Sequence, residues 1–286
     1  MSFKYINPGF NTGVLKTMTQ YTDNDSKYSG GVYLKGDGLF YLPGGVKSLY
    51  LSFVAQNVHS CTVCAYDGSD GKETGFYCDG ANNIARLNKT NAKSMLRGDV
   101  DLIVSWYVKI ISDSANGEFV LMQDGVAVYE YTGNVMNGAD ISRIKFSCSL
   151  NNHRTIANLI ISDEYFPPSE KIIALPVANT TATMADNGDG SYTADEVGET
   201  VMQTIDAAKL TQAIGEGNTL TGFSLIGNPA YYDGTELTHL GAMKGETVKE
   251  SVALPTNTDG KILASWSDNV KQADIANLSL GWKAQV

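Results

Sequence analysis

The stretch that most constrains this chain runs from Gly117 to Gly133, GEFVLMQDGVAVYEYTG. Two runs of β-branched, aromatic and long apolar residues, Glu118 to Gln123 and Val126 to Tyr131, flank Asp124-Gly125. Both central residues of a two-residue type I′ turn need a positive φ, and Asp and Gly tolerate it best. The side chains on either side suit pleated, half-buried strands. The segment is therefore a β-hairpin, and much of the remaining sequence has the same texture.

Other strand candidates follow the same logic. Ser48 to Ala55, SLYLSFVA, places Leu49, Leu51, Phe53 and Ala55 on one face. Asp101 to Ile111, DLIVSWYVKII, is the longest apolar run, and its β-branched and aromatic content favours a central strand. Shorter strands are expected at Gly31 to Leu34, Leu39 to Leu42, Ser60 to Tyr66, Gly75 to Cys78, Ile141 to Ser147 and Thr155 to Ser162. The 29 Gly fit many short strands joined by tight turns. Phe166-Pro167-Pro168-Ser169 reads as a linker, because neither proline can donate to a ladder.

After the linker the pattern repeats on a smaller scale. Strands are expected at Thr180 to Ala185, Ser191 to Ala194, Thr219 to Ile226, Leu237 to Ala242, Thr247 to Leu254, Lys261 to Trp266 and Ser279 to Ala284. Glu199 to Ile214 is the one helix candidate, stopped by Gly215. The organisation read from the sequence is all-β. It has an amino-terminal arm over 1–29, extended or forming a first edge strand, a first domain over 30–168 and a small acidic β-domain over 172–286. The arm has little apolar content of its own and is expected to dock on a neighbouring chain.

Charge separates the halves and excludes some partners. Up to Lys171 there are 15 Lys/Arg against 17 Asp/Glu; from Ile172 onward there are 6 against 14. A nucleic-acid grip needs clustered cations, so nucleic acid is not an expected partner. No run approaches the length of a membrane-crossing helix, and the opening MSFKYINPGF has no apolar signal core. Membrane insertion and secretion by a cleaved signal are therefore not expected. The four Cys (Cys61, Cys64, Cys78, Cys148) are then read as reduced, buried thiols.

Motifs that carry chemistry are sparse. Asp186-Asn187-Gly188-Asp189-Gly190 with Glu196 resembles a calcium loop, but Ala185 stands where the first ligand belongs, and a hairpin turn accounts for the same residues. Cys61 and Cys64 form one close pair, whereas structural zinc wants two. His59, His153 and His239 are scattered. Asp163-Glu164 sits beside the proline pair and solvates a strand end. No nucleophile–base pair, metal set or phosphate loop is legible, so no catalytic residue, metal or cofactor is expected. An aromatic face beside carboxylates is one way to hold a sugar, stacking on its C–H face while oxygens take the hydroxyls. Asp67, Asp70 and Tyr77, in and beside the loop after Tyr66, are one such candidate set; Tyr231 and Tyr232 are another. In both places the alternative is an ordinary loop whose aromatics turn inward.

Taken in order, Leu49 to Ala55, Val104-Ser105-Trp106-Tyr107-Val108, the Val120 to Val128 hairpin and Asn158 to Asp163 resemble the strands of concanavalin-A-like, laminin-G-like jelly-roll domains. The resemblance spans about Gly31 to Tyr165 and implies a jelly-roll sandwich. The E-x-D-x-x-E triad of that family's glucanases is absent, which weighs against hydrolysis. GFSLIGNPAYYDGTELTHLGAM, with the signal-less start and the small acidic second half, resembles bacteriophage tail and head appendage proteins. That implies a structural virion protein (tail fibre, baseplate or capsid decoration) assembling with copies of itself and other virion proteins. The alternative it leaves is a carbohydrate-binding adhesion module for a host-surface glycan or, further off, a polysaccharide-cleaving enzyme.

Overall fold

The computed structural model describes residues 4–7, 19–20, 32–34, 37–56, 62–67, 73–79, 84–87, 91–94, 103–147, 154–229, 236–254 and 262–286. The chain divides into two compact units, Met1–Lys171 and Ile172–Val286.

The first unit contributes β1 (Lys4–Asn7), β2 (Thr19–Gln20), β3 (Val32–Leu34), β4 (Asp37–Val46), β5 (Ser48–Gln56), β6 (Thr62–Asp67) and β7 (Glu73–Asp79). It continues with β8 (Ile84–Leu87), β9 (Asn91–Ser94), β10 (Ile103–Ile111), β11 (Asp113–Gln123), β12 (Val126–Val135), β13 (Ile141–Ser147) and β14 (Arg154–Ser162). One sheet runs β12-β11-β10-β5-β14-β3-β2, with β1 also on β14; the other runs β4-β13-β6-β7-β8-β9. All the pairings are antiparallel.

Register explains the core. Tyr5, Ile161, Leu51, Val108 and Leu121 lie in one row across five strands, and every one is buried. From the second sheet Phe40 meets this face, its ring 4.8 Å from that of Tyr5. Two antiparallel sheets thus close over one apolar layer, and the unit is a concanavalin-like jelly-roll sandwich. At the expected hairpin Asp124 has φ 50° and Gly125 φ 80°, as a type I′ turn demands. The Asp124 carboxylate also accepts the Ser105 N–H at 3.0 Å, tying the turn to the neighbouring strand.

Of the two readings of the amino-terminal segment, residues 4–7 take the strand: β1 belongs to the first sheet and buries Lys4, Tyr5 and Ile6. Its short KYIN run reads as polar because of Lys4, yet that lysine pairs with Glu170 and lies over the Phe166 ring. Phe166 in turn packs edge-on against Tyr107, whose hydroxyl donates to the Phe166 carbonyl at 2.9 Å. Burial holds the Tyr107 phenol protonated far above its ordinary range. The segment before the prolines therefore covers the outer side of β5 and β10.

The second unit contributes β15 (Val177–Ala182), β16 (Ala185–Asp186), β17 (Tyr192–Thr193), β18 (Thr200–Ile205), α1 (Ala207–Ile214) and β19 (Leu220–Gly227). It ends with β20 (His239–Lys244), β21 (Thr247–Ala253), β22 (Ile262–Val270) and β23 (Ser279–Gln285). A five-stranded sheet runs β15-β18-β23-β20-β21, and β19 pairs with β22. This smaller unit is β-rich, as expected. One expectation is corrected: the helix is eight residues long and starts at Ala207. Thr200–Ile205 is a strand, because β-branched TVMQTI pairs on both sides, and Asp206 then caps the helix by accepting the Lys209 N–H at 3.1 Å. Leu210 carries the helix into a core with Phe223, Ala242, Ala264, Ile275 and Leu280.

A carboxylate joins the five-stranded sheet to the β19–β22 pair. Glu250 on β21 accepts the Ser265 N–H of β22 at 2.6 Å, and burial raises its pKa. A carboxyl with a raised folded pKa favours folding more as pH falls through that value and less above it. Glu250→Gln keeps an acceptor for Ser265 and removes the buried charge. Its melting temperature is expected to exceed that of the parent at pH 7, with the gap closing below the usual Glu range. Equal gaps at both pH values in parallel thermal melts contradict this.

Candidate functional site

The face of the six-stranded sheet that carries Phe40 and Ile144 is core. Successive residues of a strand alternate between faces, so Tyr41 and Arg143 belong to the other face. Tyr41 is 60 % exposed and Arg143 half-buried. Register aligns the strands of this sheet in rows. One row reads Tyr41, Arg143, Tyr66, Glu73 across β4, β13, β6 and β7. The next reads Leu39, Lys145, Cys64, Gly75. A third reads Asp37, Ser147, Thr62, Tyr77, Arg86 and reaches β8.

The rows differ in residue size. Tyr41 and Tyr66 stand in the first and Tyr77 in the third, about 14 Å away at two residues per row step. The middle row holds Cys64 and Gly75 on β6 and β7. Cations sit inside strands: Arg143 and Lys145 within β13, Arg86 within β8. Asp37, Glu73 and Asp79 are strand-terminal.

The structure separates the residues singled out from the sequence. Tyr77 takes its place in the third row. Asp67 ends β6 opposite Ile141, at the other end of the β6–β7 hairpin and on the opposite alternation from Tyr66. Asp70, Tyr231 and Tyr232 lie outside the described residues. FYL in β4 and RIKF in β13 carry the alternation that sets Tyr41 and Arg143 opposite Phe40 and Ile144. Sequence reading gave Leu39 to Leu42 only four residues; β4 runs to Val46 because Gly44 and Gly45, at φ 78° and 74°, absorb a bulge opposite β13.

The other chemical candidates resolve into turns and strands. Asp186 accepts the Gly188 N–H at 2.8 Å, and Asp189 accepts both the Ser191 N–H and hydroxyl at 2.9 and 2.6 Å. These local bonds hold the β16–β17 turn and draw the Asp189 pKa down. Cys64 lies in β6 and Cys78 in β7, while Cys61 and Cys148 lie outside the described residues. Among the described residues no group of three or more His, Cys, Asp or Glu is placed to hold a metal. His239 lies beside the Thr238 hydroxyl at 2.7 Å; His59 and His153 lie outside the described residues. At the end of β14 the Glu164 N–H donates to the Ser162 hydroxyl at 3.0 Å. No helix among the described residues is long and apolar enough to cross a membrane.

No protein-family profile matches the chain, and no curated protein matches it. Solved structures do. A galectin of Caenorhabditis elegans matches at 8% identity and TM-score 0.33, over 54% of this chain and 99% of its own. A carbohydrate-binding module, CBM66, from Bacillus subtilis matches at 11% identity and TM-score 0.31, over 52% of this chain and 92% of its own. A sialidase of Trypanosoma rangeli matches at 10% identity and TM-score 0.40, over 58% of this chain and only 31% of its own. These likenesses are low in identity and partial in superposition, so what the chain does is argued from its own outer face.

Proposed function

We propose that this chain is a non-catalytic glycan-binding module whose ligand lies across the outer face of the six-stranded sheet. The observation that carries the proposal is Tyr41, 60 % exposed beside Arg143 on a sheet whose other face is core. An aromatic ring held by a rigid strand stacks on the C–H face of a sugar, and neighbouring polar groups take its hydroxyls. On a phage particle such a face serves host attachment, and mass spectrometry of purified particles checks that placement.

Titration of the full chain against a panel of bacterial and plant polysaccharides tests the binding. Tyr41→Ala is expected to weaken binding about 5- to 10-fold, on the order of one aromatic contact. Tyr41→Phe keeps the ring and is expected to bind like the parent, as is Tyr165→Ala, an exposed tyrosine elsewhere in the unit. A panel with no binder, or a Tyr41→Ala variant that binds like the parent, refutes the assignment.

A further inference from the structure

We propose that β15 is a dimerisation edge: two copies of this chain join by antiparallel pairing of β15 with β15 across a two-fold axis at Thr180. In the five-stranded sheet of the second unit the two edges differ. At one, β21 carries Lys249 and Glu250, and β22 lies against it through the Glu250–Ser265 bond and the Lys249–Asp268 ion pair at 3.6 Å. At the other, β15 pairs with β18 alone among the described residues, and all six of its residues are exposed. Its sequence, VANTTA, has neither the charges nor the proline that usually guard a sheet edge. Because neither face of β15 packs on a core, one ladder is all that holds the strand in place. A strand with so little burial gains from a second ladder.

The bonds already made fix which groups are open. The Asn179 carbonyl accepts the Thr204 hydroxyl at 3.3 Å, and the Thr183 N–H donates to the Thr200 carbonyl at 2.8 Å, both on β18. Alternation then turns the N–H and C=O of Thr180 and Ala182 to the open side. A two-fold axis through an antiparallel ladder sets a residue opposite its own copy. Centred on Thr180, clear of the bulge between Val177 and Asn179, it sets Thr180 opposite Thr180, Asn179 opposite Thr181 and Ala178 opposite Ala182. Every pair is neutral, and opposed threonines are favourable cross-strand partners. The ends complement each other too. At the start of β15 the Pro176 carbonyl accepts the N–H of Asp206, the cap of α1, whose Lys209 pairs with Asp206 yet is 71 % exposed. Past the end of β15 comes Asp186, also exposed. The antiparallel arrangement sets the lysine end of one copy beside the aspartate end of the other, which favours a second copy as the partner. Over the whole unit 6 Lys/Arg stand against 14 Asp/Glu, so two copies repel at long range and salt must strengthen the pairing.

One strand pair buries far less than the ~1,200 Å² of a stable interface, so the dimer is weak and concentration-dependent. Sedimentation equilibrium of the full chain is expected to follow a monomer–dimer equilibrium whose dissociation constant falls as NaCl rises. Thr180→Lys and Thr180→Glu each place like charges directly opposite and are expected to weaken the dimer about 5-fold, the upper range for one cross-strand pair. An equimolar mixture of the two variants sets Lys against Glu and is expected to restore dimers at the parent's level. Unchanged melting temperatures show that both variants are folded. In hydrogen exchange the Thr180 and Ala182 amides are expected to slow as protein concentration rises, while those of Asn179 and Thr181 stay constant. A monomer at every concentration overturns the proposal and leaves the edge to an extended segment of another protein or to water. A dimer that ignores both variants, or a mixture no stronger than either variant alone, also overturns it, because the contact then lies elsewhere.

Discussion

Gly281→Ala is expected to destabilise the second unit by about 3 kcal/mol or more, the upper range for overpacking a core. Gly281 sits in β23, between β18 and β20, opposite Met202 on one side and Met243 on the other. A Cβ there falls 2.0 Å from the Val201 carbonyl oxygen and 2.8 Å from the Met202 Cα. Those are backbone atoms of a paired strand, so no rotamer change relieves the clash; β18 must move away and its ladder must lengthen. Gly245→Ala provides the contrast. Its φ of 56° strains an alanine by about 1–2 kcal/mol, but nothing lies within 4 Å of the added carbon. Urea unfolding of both variants separates a steric cause from a conformational one. If Gly281→Ala falls within about 1 kcal/mol of the parent, the close approach of β18 to β23 is wrong.

Much of the first unit is legible in the sequence because its strands alternate cleanly. SLYLSFVA and IVSWYVKII announce themselves, and register then places Leu51 beside Val108. The hairpin at Asp124-Gly125 is legible because only a few residue types tolerate two successive positive φ values. The short strands β8 and β9, IARL and NAKS, were not legible, since four residues with one or two apolar positions carry no period. The helix boundary was misplaced for a related reason. Val201, Ile205, Ala208 and Leu210 fit a loose helical stripe, and only pairing to β15 and β23 decides that the first two belong to a strand. The candidate site is a subtler case: Tyr41 and Arg143, far apart in sequence, are set side by side by the pairing of β4 with β13. Strand order brings those residues together, and strand order is not written in any local pattern.

Lys4→Met is expected to cost about 3–5 kcal/mol, the usual result of removing one member of a buried ion pair. Lys4 is 5 % exposed and Glu170 12 %, with the ammonium over the Phe166 ring. Methionine preserves most of the packing of the lysine stem, so the loss reports the carboxylate left without its ion-pair partner. The double variant Lys4→Met/Glu170→Leu removes both charges and is expected to recover most of the loss, because a well-packed apolar pair often replaces a buried ion pair at little cost. A double-mutant cycle by denaturant unfolding measures the coupling directly. The same measurement decides what the amino terminus does. Were residues 4–7 a detachable arm, Lys4→Met and truncation through Asn7 would both leave the unfolding midpoint unchanged. As β1, paired along Leu159 to Ser162 and burying Tyr5 against Phe40, the segment is part of the sandwich. Truncation is then expected to cost at least as much as Lys4→Met, since it strips both the ion pair and two buried apolar side chains from the edge of β14. A truncated chain as stable as the parent, with a silent Lys4→Met, restores the docking-arm role and removes β1 from the fold's energetics.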